Sequence, residues 1–154
     1  MVVYRISNCQ YVADLSGKGA ALYGGRWNSK DTYMVYAAES AALALLETVV
    51  HIGHIPEKGF CMIALELPAN SIEHLPESKL PDGWRKSPAP DVLKKIGDAF
   101  ITTGKKLALS VPSVVMPEEH NLLINPHHAD FKKIKVVRQR TIPIDERLLF
   151  ATGK

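Results

Sequence analysis

The segment GGRWNSKDTYMVYAAESAALALLETV, residues 24–49, joins a glycine pair, a short apolar run and an amphipathic pattern. It sets Arg26, Tyr36 and Glu47 on three kinds of local structure: a loop, a strand end and a helix. A guanidinium binds phosphate oxygens through paired hydrogen bonds, and a carboxylate can stabilise positive charge on a sugar ring. The segment therefore predicts a cleft for an anionic ligand that contains a reactive sugar.

The second half of this segment predicts a helix from Ala41 to about His51. Ser40 is a typical N-cap residue, and Gly53 is expected to end the helix. At about 100° per residue, Glu47 falls on the border of the apolar stripe. A carboxylate at such a border is commonly just solvated, but it can also face a cleft.

Upstream, residues 2–6 alternate as a strand does, and Arg5 lies on the face opposite its apolar neighbours. The glycines of Ser16-Gly17-Lys18-Gly19 and of Gly24-Gly25 bracket a loop that could cradle phosphate. Neither GxxxxGK[ST] nor GxGxxG is complete there, so a P-loop nucleotidase and a Rossmann site are both disfavoured.

Further along the chain, the patterns predict mixed strands and helices without regular βαβ alternation or repeats. We expect a strand at residues 60–67, an irregular connection at 70–90, and a helix at 91–103 that Gly104 ends. Other strands are predicted at 33–37, 107–111, 113–116 and 134–138, with a turn region at 121–126. The expected fold class is α+β, with mixed sheets and flanking helices.

Composition indicates one soluble, cytoplasmic domain. The chain has 154 residues, of which 46% are apolar, and this is enough for a single core. No apolar run reaches the ~18 residues of a membrane span, and the N-terminus lacks a secretory signal pattern. Cys9 and Cys61 form no CxxC pair, so we expect two inert, reduced thiols.

Two further patterns concern a nucleic-acid-binding site and a metal site. The basic run at residues 132–140 favours a nucleic-acid-binding or RNA-cleaving protein, although its alternation also suits a strand with one solvated lysine face. Histidines cluster at His51, His54 and His127-His128, but HExxH is absent and Gly53 would separate the first two. We expect no metal site.

The order of the motifs resembles the RES-domain family, the toxin halves of Xre-RES toxin-antitoxin pairs. The resemblance spans nearly the whole chain, which would make residues 1–154 a single RES domain. The matching residues are Tyr4-Arg5, Ser16-Gly17, Gly24-Gly25-Arg26-Trp27-Asn28, Tyr36, Glu47, Trp84, Val111-Pro112-Ser113, Asn121 and Asn125-Pro126.

The resemblance implies an ADP-ribosyltransferase-like fold and an enzyme that consumes NAD as its substrate, with no separate cofactor. NAD would be depleted by hydrolysis or phosphorolysis, or its ADP-ribose would be transferred to a protein. A further implied partner is an Xre-type helix-turn-helix antitoxin that blocks the cleft. Contact with nucleic acid would then come only through the antitoxin.

The resemblance also assigns roles to residues. Arg5 and Arg26 would hold the pyrophosphate or the nicotinamide-ribose side, while Tyr36 would pack on nicotinamide. Glu47 would bond the ribose hydroxyls and stabilise an oxocarbenium-like transition state.

The same resemblance adds Trp27 and Asn28 to the substrate-binding set. It gives Ser113 the task of positioning the ribose, although Ser110 or Ser87 could instead be the family serine.

Overall fold

The computed structural model of the chain describes residues 1–51, 56 and 58–150. Its α-helices are α1 (Lys18–Tyr23), α2 (Ala41–His51), α3 (Asp91–Thr103) and α4 (Glu146–Phe150). Its strands are β1 (Val2–Asn8), β2 (Val35–Ala38), β3 (Phe60–Glu66), β4 (Ile72–His74), β5 (Ala108–Pro112), β6 (His120–Ile124) and β7 (Lys135–Ile142). Short 3-10 helices cover Glu77–Lys79 and Ala129–Lys133.

Within this described part, the strands form one sheet in the order β4-β5-β6-β2-β1-β3-β7. Strand β1 pairs with β3 along its whole length, but its register with β2 is a single pair, Tyr4 opposite Ala38. The remaining residues of β1 and β2 form no further pair, so the sheet splits between these two strands. The expected α+β class is confirmed.

Apolar side chains cover both faces of the sheet. One core contains Val3, Ile63 and Leu122, and a second lies between the sheet and α3, where Leu93 and Phe100 are buried. Strand β3 is central in its half of the sheet, and all its residues except the last are buried. This explains its almost continuous apolar sequence.

Helices α2 and α3 agree with their predicted limits. Ser40 Oγ accepts from the Leu43 amide at 3.0 Å, as an N-cap does. Gly104 follows α3 at φ 56° and donates its amide to the Phe100 carbonyl. The predicted stop at Gly53 lies outside the described residues.

Several predicted elements differ in the structure, and the predicted irregular connection at 70–90 contains β4 and a 3-10 helix. The glycine-bracketed loop contains α1, and the predicted turn region at 121–126 is mostly β6, because Leu122, Leu123 and Ile124 are buried between β2 and β5. Residues 113–116 form a turn rather than a strand. There, Ser113 Oγ accepts from the amides of Val115 and Met116, which leaves them unavailable to a sheet.

The prediction of two reduced thiols is wrong for this structure, because Cys9 and Cys61 form a disulfide. Cys9 directly follows β1, and Cys61 lies near the start of the antiparallel β3, opposite Ser7. The two α-carbons are 4.7 Å apart although 52 residues separate them in sequence. Sequence spacing could not reveal a contact that strand register creates.

Strand β7 also departs from its prediction. It is longer than residues 134–138 and exposes residues 135–141 on both faces, rather than presenting one solvated face. No helix in the described part of the chain is long and apolar enough to cross a membrane.

Candidate active site

A cavity of about 460 Å³ opens where β1 and β2 part. Residues from β1, β2, α2 and the 24–28 loop line it, and the turn after β5 closes one side. The cavity therefore gathers the charged and aromatic residues that the sequence singled out: Arg5, Arg26, Tyr36 and Glu47.

Glu47 lies on α2 and is held through a single carboxylate oxygen. Its Oε1 accepts from Ser113 Oγ at 2.8 Å and from Asn121 Nδ2 at 2.6 Å. No described residue donates to Oε2. The carboxylate is thus fixed in orientation and keeps one oxygen for a ligand.

Ser113 is fully buried, and all of its hydrogen-bonding capacity is used. Its hydroxyl donates to Glu47 and accepts from two main-chain amides of its own turn. A hydroxyl so occupied orients the carboxylate and is unsuited to be a nucleophile. Of the three candidate serines, Ser113 touches Glu47, whereas Ser87 lines a neighbouring cavity and Ser110 is buried on β5.

Asn121 is a site residue for which the sequence predicted no role. It lies on β6 opposite Ala38 of β2 and Val111 of β5, and its side chain reaches Glu47. Its position in the family motif was the available signal. The sequence predicts a turn at residues 121–126, and a turn does not place the Asn121 side chain beside Glu47.

Arg5 occupies the split between β1 and β2. Its Nη1 donates to the Tyr36 carbonyl at 3.2 Å, which bridges the two strands where their ladder has ended. Burial lowers the pKa of Arg5, and the negative charge of Asp14 opposes this shift. The buried Nε–H finds no acceptor among the described residues.

Tyr36 uses its hydroxyl within the protein. The hydroxyl donates to Asn28 Oδ1 at 2.7 Å and accepts from the Trp27 amide at 3.2 Å. Burial raises the pKa of Tyr36 far above its usual range. The phenol is therefore neutral, and its ring is the part that can pack on a ligand.

Asn28 is fully buried and holds the 24–28 loop in shape. Its Nδ2 donates to the main-chain oxygens of Ala20, Ser29 and Thr32. These bonds engage its amide with the protein, while Asn28 also lines a neighbouring cavity, and its predicted substrate-binding role stays a prediction. Trp27 lines the cavity but is almost completely buried in the core under α3.

Arg26 lines the cavity from the 24–28 loop. Its guanidinium donates to the carbonyls of Trp84 and Lys86 at 2.9–3.2 Å, which ties the 24–28 loop to the irregular segment before α3. Burial lowers the pKa of Arg26, while the charge of Glu47 raises it. A guanidinium has five N–H donors, so some remain for a ligand.

His51 is a second lining residue that the sequence did not assign to this cavity. It ends α2, and its Nδ1 lies 2.7 Å from the Glu47 carbonyl. No group of three potential metal-binding side chains occurs in the described ranges, and His54 falls outside them.

The chain is similar to known proteins over nearly its whole length. The RES domain family model matches residues 2–145. "Toxin Res" of Photorhabdus laumondii is 36% identical over 154 residues, covering 98% of this chain and 99% of the relative. "Prs ADP-ribosylating toxin" of a Sphingobium species is 43% identical over 141 residues, covering 88% of this chain and 87% of the relative.

Among solved structures, the chain resembles one from the M. tuberculosis MbcT-MbcA toxin-antitoxin complex. The TM-score is 0.73, and the match covers 92% of this chain and 83% of that chain. Sequence identity is only 15%, so this likeness concerns the fold. It supports the mixed sheet with flanking helices described above.

Proposed function

This chain belongs to the RES domain family and is a toxin of that family, and we propose that it arrests growth by consuming NAD. The observation that carries the proposal is the fixed carboxylate of Glu47 in a cavity that also contains two arginines. A relative 43% identical to this chain is named an ADP-ribosylating toxin, which supports ADP-ribosyl chemistry.

The charged side chains of the cavity are complementary in sign to the charged groups of NAD. In NAD the nicotinamide ring is positively charged and the pyrophosphate is negatively charged. Arg5 and Arg26 would bind the phosphate oxygens, and the Tyr36 ring would form the wall against nicotinamide. Glu47 would face the ribose between them.

Bond cleavage then follows from electrostatics. When the bond from ribose C1′ to nicotinamide breaks, its electron pair stays with the ring nitrogen and the positive charge moves to the ribose. The free oxygen of Glu47 would stabilise that charge and bond the ribose hydroxyls. Nicotinamide leaves as a neutral molecule, so its departure needs no acid.

A second cavity of about 590 Å³ adjoins the first and supports a ligand with two halves. Arg26 and His51 line both cavities, and Lys30 and Lys94 add positive charge to the second. The adenosine half of NAD would extend in this direction, with Arg26 at the junction near the pyrophosphate.

Hydrolysis, phosphorolysis and protein modification differ in the molecule that accepts ADP-ribose. Water would give ADP-ribose, and phosphate would give its 1-phosphorylated form. The name of the Sphingobium relative favours a second candidate function, transfer of ADP-ribose to a protein. Incubation with adenylate-labelled NAD, with and without phosphate and cell extract, separates them by the product that carries the label.

We also propose an antitoxin of the Xre helix-turn-helix type as partner, a cytoplasmic location, and a single RES domain over residues 1–154. The similar solved structure is a toxin-antitoxin complex, which supports a partner of this kind. Contact with nucleic acid would then be made by the antitoxin.

Measurement of cellular NAD during expression tests the proposal. Induction of the chain alone should lower NAD before growth stops, and Glu47→Ala should abolish both effects. Glu73→Ala is a matched control because Glu73 is exposed on β4, away from the cavity. Growth arrest with a constant NAD level would contradict the proposal.

A further inference from the structure

Strand β7 forms one end of the sheet, and the proposed reaction makes no use of it. It pairs with β3 along one side only. In the part of the chain that the structure describes, no strand pairs with its other side. Its outer main-chain N–H and C=O groups therefore offer a template for another strand.

The charge of this strand is of one sign. The charged residues within β7 are Lys135, Arg138 and Arg140, and Lys132 and Lys133 precede it in the 3-10 helix. Lys133 pairs with Asp130 and Lys135 lies near Glu66, at 2.7 and 3.8 Å respectively. Arg138 and Arg140 lie opposite the uncharged Ala64 and Met62.

Neither of these two arginines makes an ion pair with a described residue. Unpaired cations beside a row of main-chain hydrogen-bonding groups favour a negatively charged strand over a neutral one.

Two valines beside these cations are unusually accessible. Val136 and Val137 are 55% and 51% exposed, and the register with β3 is irregular at this point, between Ala64 and Leu65. Charged side chains alone would protect an edge strand against pairing. Two adjacent, half-exposed valines have the opposite effect, since they gain free energy when another segment covers them.

We propose that β7 is the docking strand for an acidic, extended segment of a partner protein, which adds to the edge of the sheet. Main-chain hydrogen bonds would supply affinity, the valines would bury apolar side chains, and Arg138 and Arg140 would select carboxylates. The site is separate from the cavity, because β3 and β1 lie between β7 and the split in the sheet.

The charge pattern selects this occupant over two others. A second copy paired through its own β7 would bring two cationic strands together, which is unfavourable. A nucleic acid would be attracted by the charge but would leave the valines and the open main-chain groups unused, and no aromatic residue occurs within β7 for base stacking.

Fluorescence anisotropy with a labelled peptide of alternating Glu and Val tests the proposal. The unmodified chain should bind this peptide, and an Arg138→Glu/Arg140→Glu variant should bind it about tenfold more weakly, as expected for two exposed ion pairs. Hydrogen exchange should show β7 amides protected by the peptide. A Lys79→Glu/Lys95→Glu variant has the same net charge change at exposed sites elsewhere and should bind like the unmodified chain.

Equal peptide binding by both double variants, or no binding to the unmodified chain, would overturn the proposal. Binding of a duplex DNA fragment that the Arg138→Glu/Arg140→Glu change abolishes, without peptide binding, would assign the strand to nucleic acid instead. Thermal unfolding and NAD consumption should be unchanged in both variants. If neither the unmodified chain nor the variants consume NAD, the proposed reaction is contradicted. The peptide-binding result would still decide the docking proposal.

Discussion

Glu47 is held through one carboxylate oxygen, and its remaining oxygen and its charge are what the proposed reaction uses. Glu47→Gln keeps the shape and can still accept from Ser113 and Asn121, but it removes the charge. We expect the rate of NAD cleavage to fall by about 10²–10³, the usual cost of losing a group that stabilises a transition state. Steady-state assays with purified protein measure this, and full activity would refute the role of Glu47.

Alanine substitutions at the three candidate serines test which of them orients the Glu47 carboxylate. Ser113→Ala removes a donor to Glu47 and leaves the amides of Val115 and Met116 without their acceptor. We expect a loss of about 1–3 kcal/mol in the free energy of unfolding and a lower kcat. Ser110→Ala and Ser87→Ala should retain kcat, since neither residue contacts Glu47; a larger loss of kcat in either would transfer the role to that serine.

The sequence predicts some secondary-structure elements of this protein correctly and others not. Helices α2 and α3 were predicted with correct limits because caps and apolar periodicity are local signals. The sequence predicts a turn region at 121–126 instead of strand β6, because this strand depends on pairing with β2 and β5, which are distant in sequence. Residue type and motif order predict Arg5 and Glu47 as site residues. The cavity that they share lies where β1 and β2 part, and this depends on strand register, which the sequence does not reveal.

The close packing of α3 on the 24–28 loop gives a prediction at the level of elements. A Cβ at Gly97 would lie 1.8 Å from the Trp27 carbonyl oxygen, so α3 or the loop must move in Gly97→Ala. Alanine normally stabilises a helix interior by about 1 kcal/mol relative to glycine. Here we expect the opposite, a loss of about 1–3 kcal/mol, together with weaker NAD binding because Arg26 adjoins the displaced Trp27.

Gly19→Ala is the matched control for this change. Gly19 also lies in a helix, α1, but a Cβ there would meet no atom within 4 Å. Chemical denaturation should show it to be neutral or slightly stabilising. If Gly97→Ala behaved in the same way, the contact between α3 and the loop would not constrain the site.

For the molecule as a whole, the Cys9–Cys61 disulfide connects β1, which carries Arg5, to β3 across 52 residues of sequence. This loop includes β2, which carries Tyr36, and α2, which carries Glu47, so the bond restricts the unfolded chain over both of these elements. Closing a loop of this length corresponds to about 4 kcal/mol of stability on the chain-entropy estimate.

We therefore expect the Cys9→Ser/Cys61→Ser variant, and the unmodified chain after reduction, to unfold at a lower denaturant concentration than the oxidised chain. The variant and the reduced chain should unfold at the same denaturant concentration, because both lack the cross-link. The variant measured with and without reductant controls for effects of the reductant itself. Mass analysis after thiol labelling should find no free thiol in the oxidised chain. Two labelled thiols in protein purified without reductant would contradict the bond, and equal denaturation midpoints would contradict its contribution to stability.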